Sequence, residues 1–207
     1  MMKILLVDDH VLVRQGVRRL LSAIPSADIY EAATSYEALT VFRQQSPDVV
    51  VLDISLAGSS GLELLKRFLI ENPNAKVLML SMHAEAIYAA RAVQAGARGY
   101  ISKGASAEEL VTAVLRVAEG KRYVEREIAT DLAMKQFSGD GDLLERLTMR
   151  EIEILRLLGE GKSLSAIAGT LNVAYKTVAN ACSLMKSKLA VERTADLIRM
   201  ALEMRKN

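Results

Sequence analysis

The sequence predicts an α/β domain with a doubly wound, five-stranded parallel sheet, followed by a small all-α domain. Three observations support this fold class. Short apolar runs alternate with helical patterns over residues 1–120. The run DVVVLDI (48–54) is apolar without alternation, as expected for a strand that is buried on both faces. Residues 144–207 show helical patterns and no strand signal.

The elements of the first domain follow from these patterns. The predicted strands are KILLV (3–7), ADIYEA (27–32), DVVVLDI (48–54), KVLMLS (76–81) and RGYIS (98–102). Helical periodicity occupies residues 11–24, 35–45, 61–72, 84–96 and 106–120. Ser35 is the predicted N-cap of the second helix, and Ser106 with Glu109 predicts a capping box on the fifth.

The rest of the chain divides into a linker, residues 121–143, and a helical domain, residues 144–207. KRYVEREIATDLAMKQF (121–137) has the pattern of one amphipathic helix, so the linker is predicted to be partly helical. SGDGD (138–142) is short, polar and rich in glycine. The helical domain, at about 65 residues, is small but large enough to fold alone.

The stretch GEGKS (159–163) ends like a nucleotide-binding phosphate loop. That motif requires glycine where Arg156 stands, and it follows a strand. Here the preceding residues are helical, and Thr148 with Glu151 predicts the capping box that begins this helix. Gly161 is therefore interpreted as the end of a helix, and GEGKS as a turn.

Composition excludes several classes of protein. No apolar run approaches the roughly 18 residues that a membrane span requires, and the N-terminal MMKILLVDDH is predicted to be a strand rather than a secretion signal. The single cysteine, Cys182, excludes an intramolecular disulfide and predicts a cytoplasmic protein. The net charge is −2 over residues 1–143 and +4 over residues 144–207, which favours a polyanionic partner for the second domain.

Polar side chains collect at the carboxyl ends of the predicted strands. Asp8 and Asp9 follow the first strand, Asp53 ends the third, Ser81 ends the fourth and Lys103 follows the fifth. Ligands bind at this edge of an open parallel sheet. Grouped carboxylates favour Mg²⁺, and the lysine and hydroxyl suit a phosphoryl group.

This arrangement resembles the receiver domain of two-component response regulators over residues 2–120. The resemblance implies that Asp53 accepts a phosphoryl group from a sensor histidine kinase. It also implies Mg²⁺ as cofactor, with Asp9, Asp53 and the backbone carbonyl of Ser55 as direct ligands and Asp8 acting mostly through water.

The same resemblance implies a switch around the phosphoryl group. Lys103 is expected to pair with the acyl phosphate, and Ser81 and Tyr100 are expected to reorient with it. His10 and His83 lie in the segments DDH and SMH, which we interpret as ordinary for such a domain rather than as catalytic.

Residues 147–204 resemble the LuxR-type helix-turn-helix of the NarL/FixJ subfamily, through LTMREIEILRLLGEGKSLSAIAGTLNVAYKTVANACSLMKSKLAV. The resemblance implies a scaffold helix over 164–171, capped by Ser163, and a recognition helix that begins near Tyr175. The buried stripe of that helix is expected to be Val178, Cys182, Met185 and Leu189. The expected DNA-binding residues are Lys176, Thr177, Asn180, Ser183, Lys186 and Lys188.

The second domain departs from its family at positions that matter for DNA. Ala174 replaces the usual serine cap of the recognition helix, Ala166 a usual glutamate, and Ala179 a lysine that normally reaches DNA. The apolar stripe of the last helix, with Ala195, Ile198 and Leu202 or its neighbours, fits either pairing of two copies or packing within one.

Three functions are weighed against these features. The leading prediction is a phosphorylation-controlled, DNA-binding transcription regulator that forms a homodimer when phosphorylated and binds promoter DNA. The alternative is a response regulator whose helical domain has drifted toward protein–protein contacts or weak, partner-assisted DNA binding. A phosphatase-like enzyme is the third, but no nucleophile–base pair beyond the pocket supports it, so the chain is predicted not to be an enzyme.

Overall fold

The computed structural model describes residues 1–56, 59–82, 86–130 and 146–204. The chain divides into two compact units, Met1–Met134 and Lys135–Asn207. No helix in the described part of the chain is long and apolar enough to cross a membrane.

The first unit is built on a parallel sheet of six strands: β1 (Met2–Val7), β2 (Ala27–Ala32), β3 (Val49–Asp53), β6 (Val77–Ser81), β7 (Gly99–Ser102) and β8 (Tyr123–Val124). The strand order in this sheet is β2-β1-β3-β6-β7-β8. A separate antiparallel pair consists of β4 (Ser55–Leu56) and β5 (Ser59–Ser60). The predicted fold class is confirmed, and β8 adds an edge strand to the five predicted ones.

The helices of this unit are α1 (Val11–Leu21), α2 (Ser35–Gln45), α3 (Gly61–Glu71), α4 (Ala86–Gln94) and α5 (Ala107–Ala118). The predicted capping box of Ser106 and Glu109 is present on α5. The prediction that Ser35 caps α2 is wrong by one residue. Thr34 has the extended backbone of an N-cap and accepts a hydrogen bond from the Glu37 N–H.

The core lies on both faces of the sheet, because β3 and β6 are buried over their whole length. On one face, α1 and α5 pack over a cluster that includes Leu6, Val51 and Leu80. Elsewhere in the unit, Phe42 of α2 stacks against Phe68 of α3, with ring centroids 4.5 Å apart. These two helical layers leave the carboxyl ends of the strands as the open edge.

The predicted single helix over residues 121–137 is wrong at its start. Gly120 ends α5 with a φ of 81°, and the chain then pairs with the free edge of β7 as β8. An edge strand has unpaired backbone groups, so this pairing satisfies them better than continued helix. Residues 126–130 are helical, and the remainder of the predicted linker, 131–143, lies outside the described residues.

The second unit contains α6 (Met149–Gly159), α7 (Leu164–Thr170), α8 (Tyr175–Lys188) and α9 (Thr194–Met204). The predicted caps are present, with Thr148 and Glu151 as a capping box on α6 and Ser163 on α7. Gly161 has a φ of 77° and ends α6, which confirms GEGKS as a turn between helices.

Helix α8 presents the predicted apolar stripe to the core: Val178, Cys182, Met185 and Leu189 are buried. Leu197 and Ala201 of α9 are also buried, and a Cβ at Gly159 would meet the Ala201 side chain at 2.8 Å. The side of α9 that carries Leu197 and Ala201 therefore packs against α6 within one copy. The predicted stripe is wrong in part, because Ala195 and Leu202 are exposed and Ile198 is half-buried. Pairing of two copies through this helix stays a prediction.

Candidate functional site

A buried lysine joins two buried carboxylates at the open edge of the sheet. The Lys103 Nζ atom lies 2.7 Å from Asp8 Oδ2 and 2.7 Å from Asp53 Oδ2. The side chains of Asp8, Asp53 and Lys103 are 0%, 2% and 6% exposed. We call this group, with Asp9 and Ser81, the acidic pocket. The structure thus brings together side chains that are up to 95 positions apart in the sequence.

Four parallel strands, β1, β3, β6 and β7, and the turns after them bring these groups together. Asp53 is the last residue of β3 and lies opposite Leu80, and Ser81 at the end of β6 lies opposite Ser102. The Lys103 N–H donates to the Ser81 carbonyl at 2.6 Å, which continues the ladder for one residue beyond β7. The register of β6 and β7 therefore fixes the position of the Lys103 backbone relative to Ser81.

The pocket carries more negative than positive charge, and the pKa values reflect this. Burial raises the pKa of Asp53 to about 6, against the opposing influence of Lys103, and the neighbouring carboxylate of Asp8 adds to the rise. Burial would lower the pKa of Lys103, but its contacts with Asp53 and Asp8 outweigh burial and raise it. One ammonium therefore does not fully compensate the carboxylates around it.

The donor set fits a divalent cation. Asp8, Asp9, His10 and Asp53 each offer a ligand atom, and these atoms lie within 4.8 Å of one another. Carboxylate oxygens are the ligands that Mg²⁺ prefers. The Ser55 N–H donates to Asp53 Oδ1 at 3.1 Å, so the predicted carbonyl ligand lies on the residue that orients this carboxylate.

His10 was not expected in this group. Its Nδ1 atom lies 3.0 Å from Asp9 Oδ1 and 3.6 Å from Asp8 Oδ1, while its side chain is largely exposed. The sequence signal was its position directly after the two aspartates. The other histidine, His83, lies outside the described residues.

Ser81 and Tyr100, the predicted switch residues, are both fully buried. Ser81 ends β6 at the edge of the pocket, and Tyr100 occupies β7 opposite Met79. Tyr100 also lies opposite Val124 of β8, so the strand that carries it is covered on both sides.

Gly61 is a site residue that sequence reasoning missed. A Cβ atom at this position would lie 2.1 Å from the Asp53 carbonyl oxygen and 2.9 Å from the Ile54 Cα. Only glycine permits this approach of α3 to the turn that holds Asp53. A lone glycine after two serines gives no such signal in the sequence.

In the second unit, α8 turns a polar face outward. Lys176, Thr177, Asn180 and Ser183 are exposed, whereas Lys186 and Lys188 are half-buried. The exposed residues recur at helical spacing, opposite the buried stripe. Leu184, which the sequence analysis did not place there, is 57% exposed on the same face.

Lys188 has a different partner from the expected phosphate. Its Nζ atom lies 2.8 Å and 2.7 Å from the two carboxylate oxygens of Glu151, which is 5% exposed. Burial acts to raise the pKa of Glu151, but hydrogen bonds from Lys188 and Thr148 outweigh it and lower this pKa. The Glu151–Lys188 pair thus ties the start of α6 to the end of α8, and it engages the charge that was assigned to DNA.

The start of α8 lacks the stabilisation that α6 and α7 have. Ala174 occupies the N-cap with an extended backbone, and its side chain makes no capping hydrogen bond. Ala179, where the family usually has lysine, is half-buried. The structure therefore keeps the geometry of the helix-turn-helix while its outward face is poor in charge.

Two family models match the chain. The response regulator receiver domain matches residues 4–115, and the model described as bacterial regulatory proteins, luxR family, matches residues 145–201. The transcriptional activator protein ExaE of Pseudomonas putida is 38% identical over 206 residues, covering 98% of this chain and 96% of that protein. The response regulator UvrY of Escherichia coli strain K12 is 35% identical over 205 residues, covering 98% and 94%.

Solved structures agree with these matches. A LuxR-family response regulator from Aurantimonas sp. SI85-9A1 is 36% identical with a TM-score of 0.63, covering 66% of this chain and 98% of that one. RcsB from Salmonella enterica serovar Typhimurium, bound to promoter rprA in the presence of phosphomimetic BeF₃⁻, is 25% identical with a TM-score of 0.62, covering 96% of each chain.

The fold and the two matched domains define a two-component response regulator with a DNA-binding domain. The chain belongs to the NarL/FixJ subfamily of these proteins, which combine a receiver with a LuxR-type helix-turn-helix. Its function is therefore phosphorylation-controlled regulation of transcription.

Proposed function

We propose that Asp53 is the residue that a sensor histidine kinase phosphorylates. The observation that carries this proposal is the position of Lys103, whose ammonium contacts Asp53 and Asp8 in a buried pocket with excess negative charge. Such a cluster is costly unless a ligand uses it. A bound cation would compensate the excess negative charge of the pocket, and Lys103 and the cation together would bind a phosphoryl group.

The phosphoryl transfer requires no proton carrier. A carboxylate oxygen of Asp53 attacks phosphorus, the bond between phosphorus and the donor histidine breaks, and an acyl phosphate forms on Asp53. Lys103, already within 2.7 Å of the attacking carboxylate, balances the charge that moves onto the phosphoryl oxygens.

Mg²⁺ is the proposed cofactor, held by Asp8, Asp9, Asp53 and the backbone carbonyl of Ser55. When bound there, the ion would supply positive charge beside the carboxylates and the phosphoryl oxygens. The chain's own contribution is to orient Asp53, through the Ser55 N–H, and to keep Asp8 fixed by its hydrogen bond from the His10 N–H at 2.8 Å.

The switch that reports phosphorylation is proposed to involve Ser81 and Tyr100. Ser81 lies at the pocket edge, where its hydroxyl suits a phosphoryl oxygen, and Tyr100 lies two strand positions before Ser102 on the strand that leads to Lys103. A change in the charge at Asp53 thus acts directly on both strands.

The proposed output is binding of promoter DNA by a homodimer in the cytoplasm. Lys176, Thr177, Asn180 and Ser183 form the exposed face that would enter a major groove, with Lys186 beside it. Asn180 suits adenine, and the lysines suit phosphates. Lys188 is left out of this surface because Glu151 binds its ammonium. RcsB bound to promoter rprA supports the same use of the fold.

One observation favours the alternative of protein contacts or weak, partner-assisted DNA binding. The outward face of α8 has alanine at 179, lacks a capped start at Ala174, and exposes Leu184. A face with few cations and an apolar side chain suits a protein partner better than phosphates.

Two experiments test these proposals. For the receiver, the full chain is incubated with acetyl phosphate and Mg²⁺, and a phosphate-affinity gel should show a shifted band that Asp53→Asn abolishes. Asp48→Asn is the control, because Asp48 directly precedes β3 and so lies at the amino ends of the strands, away from the acidic pocket. Labelling of Asp53→Asn at the wild-type rate would refute the assignment.

For the output, the phosphorylated chain is selected against random duplex DNA at two salt concentrations. A DNA-binding regulator should enrich an inverted repeat, with affinity that falls steeply as salt rises. Asn180→Ala should lower affinity for the enriched site by about tenfold, from the loss of one base contact. Failure to enrich any sequence at low salt would support the protein-binding alternative.

A further inference from the structure

The segment that follows α5 in the first unit is joined to the strand that precedes Lys103. In the parallel pairing of β8 with β7, Val124 lies opposite Tyr100. The N–H of the next residue, Glu125, donates to the Tyr100 carbonyl at 3.3 Å. The chain therefore continues along β7 for one residue beyond β8.

The Glu125 side chain then contacts the end of β7. Its Oε2 atom accepts a hydrogen bond from the Ser102 backbone N–H at 2.9 Å, and its Oε1 atom lies 3.5 Å from the Ser102 hydroxyl. Ser102 immediately precedes Lys103, whose ammonium lies 2.7 Å from Asp53. A single peptide unit thus separates the Glu125 contact from the residue that faces the pocket.

The direction of the backbone explains why this contact fixes Lys103. The Lys103 N–H points toward β6, where it donates to the Ser81 carbonyl at 2.6 Å. The preceding N–H, on Ser102, points to the other side, where β8 has already ended at Val124. The Glu125 carboxylate takes the place of a strand partner there, and a charged acceptor makes a stronger hydrogen bond than a neutral one.

We propose that Glu125 is a positioning residue for phosphoryl transfer to Asp53. It lies in the segment that follows α5, within the first unit, and it holds the Ser102–Lys103 peptide from one side while the Ser81 carbonyl holds it from the other. This inference rests on the proposed role of Asp53. Coupling between two sites is reciprocal. A change in charge at Asp53 that moves Lys103 therefore also changes the strength of the hydrogen bond between Ser102 and Glu125.

The test uses the full chain with Mg²⁺ and acetyl phosphate. In this reaction the bond between phosphorus and the acetate oxygen breaks, a bond between phosphorus and an Asp53 oxygen forms, and acetate leaves. The rate of labelling is compared among wild type, Glu125→Ala, Glu125→Gln and Glu127→Ala. Glu127 is an exposed glutamate in the same segment, so Glu127→Ala removes the same charge without the contact.

Glu125→Ala should lower the labelling rate by about three- to tenfold, the range that corresponds to losing one ordinary hydrogen bond, because Glu125 is only half-buried and water screens its charge. Glu125→Gln keeps an oxygen acceptor and should stay within about twofold of wild type. Amide exchange at Ser102 should accelerate in Glu125→Ala alone. Mg²⁺ affinity, measured by calorimetry, should be unchanged in all variants because the pocket carboxylates remain.

The outcomes separate the two proposals. A wild-type chain that acetyl phosphate does not label overturns the role of Asp53 and this inference with it. A labelled wild type with Glu125→Ala as fast as Glu127→Ala overturns only the role of Glu125. Equal slowing in Glu125→Ala and Glu125→Gln, together with weaker Mg²⁺ binding, indicates general damage to the fold and also overturns it.

Discussion

Each of the two units contains a lysine that is paired with a buried carboxylate, and the charges of the two groups are balanced differently. In the first unit Lys103 faces both Asp8 and Asp53, and burial raises the pKa of Asp53 to about 6. In the second unit Lys188 faces Glu151, and the pKa of Glu151 is lowered despite burial. The same chemical pair is strained in one place and satisfied in the other.

This difference separates a binding site from a structural joint. Carboxylates that exceed the available cations are stabilised by a further cation, so the acidic pocket favours binding of a cationic ligand. The carboxylate of Glu151 is compensated within the fold. It pairs with the Lys188 ammonium, and it also accepts a hydrogen bond from the Thr148 N–H in the capping box. Removing a carboxylate should therefore have opposite effects in the two units.

The largest effect is expected for Glu151→Ala. It removes half of the capping box on α6 and leaves the partly buried Lys188 ammonium without its partner, which together should destabilise the second unit by about 2–3 kcal/mol. Urea unfolding followed by hydrogen exchange in α6 and α8 measures this loss separately from the first unit.

Glu192→Ala provides the matched control, because Glu192 is an exposed glutamate in the same unit. It should change the free energy of unfolding by less than about 0.5 kcal/mol. If the two substitutions lowered the free energy of unfolding equally, the Glu151–Lys188 pair would contribute no more to stability than a solvated charge does.

Asp53→Asn should have the opposite sign. Without Mg²⁺ at pH 7.5, the buried Asp53 carboxylate is charged at a cost, so a neutral isostere should stabilise the first unit by about 1–2 kcal/mol. Thermal unfolding in EDTA measures the gain. Added Mg²⁺ should raise the melting temperature of wild type more than that of Asp53→Asn, and a lower melting temperature for Asp53→Asn in EDTA would contradict the picture of a strained pocket.

The stabilising effect of Asp53→Asn should also depend on pH. Because the folded-state pKa of Asp53 is raised from 3.8 to about 6, its contribution to stability is fully present below pH 3.8 and is lost as pH rises through 6. The difference in melting temperature between Asp53→Asn and wild type should thus be largest at pH 7.5 and shrink steadily toward pH 4.5. A constant difference across this range would place the cause outside Asp53.

The residues of the acidic pocket could be predicted from the sequence, whereas the Glu151–Lys188 pair could not. Asp8, Asp53 and Lys103 each stand at the end of an apolar run, and a parallel sheet brings such ends to one edge whatever the details of packing. Glu151 and Lys188 lie 37 positions apart on two helices. Nothing in helical periodicity says which charged residues of two crossing helices will meet, so Lys188 was assigned to DNA.

The missed edge strand has a similar cause. Tyr123 and Val124 lie in a stretch whose local pattern is helical, and only the free edge of β7 makes a strand there more stable. The close approach of Gly61 to Asp53 and the contact of Glu125 with Ser102 also depend on tertiary structure. Local patterns predicted the elements and all of the proposed caps except that of α2, and long-range contacts decided the strand at β8.

The smallest predicted effect concerns the two helices that the Glu151–Lys188 pair connects. Helix α6 begins with a capping box, whereas α8 begins at Ala174 without a side-chain cap. Because Ala174 already has the extended backbone of an N-cap, Ala174→Ser should supply the missing acceptor and stabilise the second unit by about 1 kcal/mol. Urea unfolding measures the gain, and Ala166→Ser, inside α7, is the control that adds a hydroxyl away from a cap.

If a loosely held α8 limits DNA binding, Ala174→Ser should also tighten binding to the selected site. If affinity stays the same while stability rises, then the charge-poor outward face, and not the order of the helix, sets the affinity for DNA.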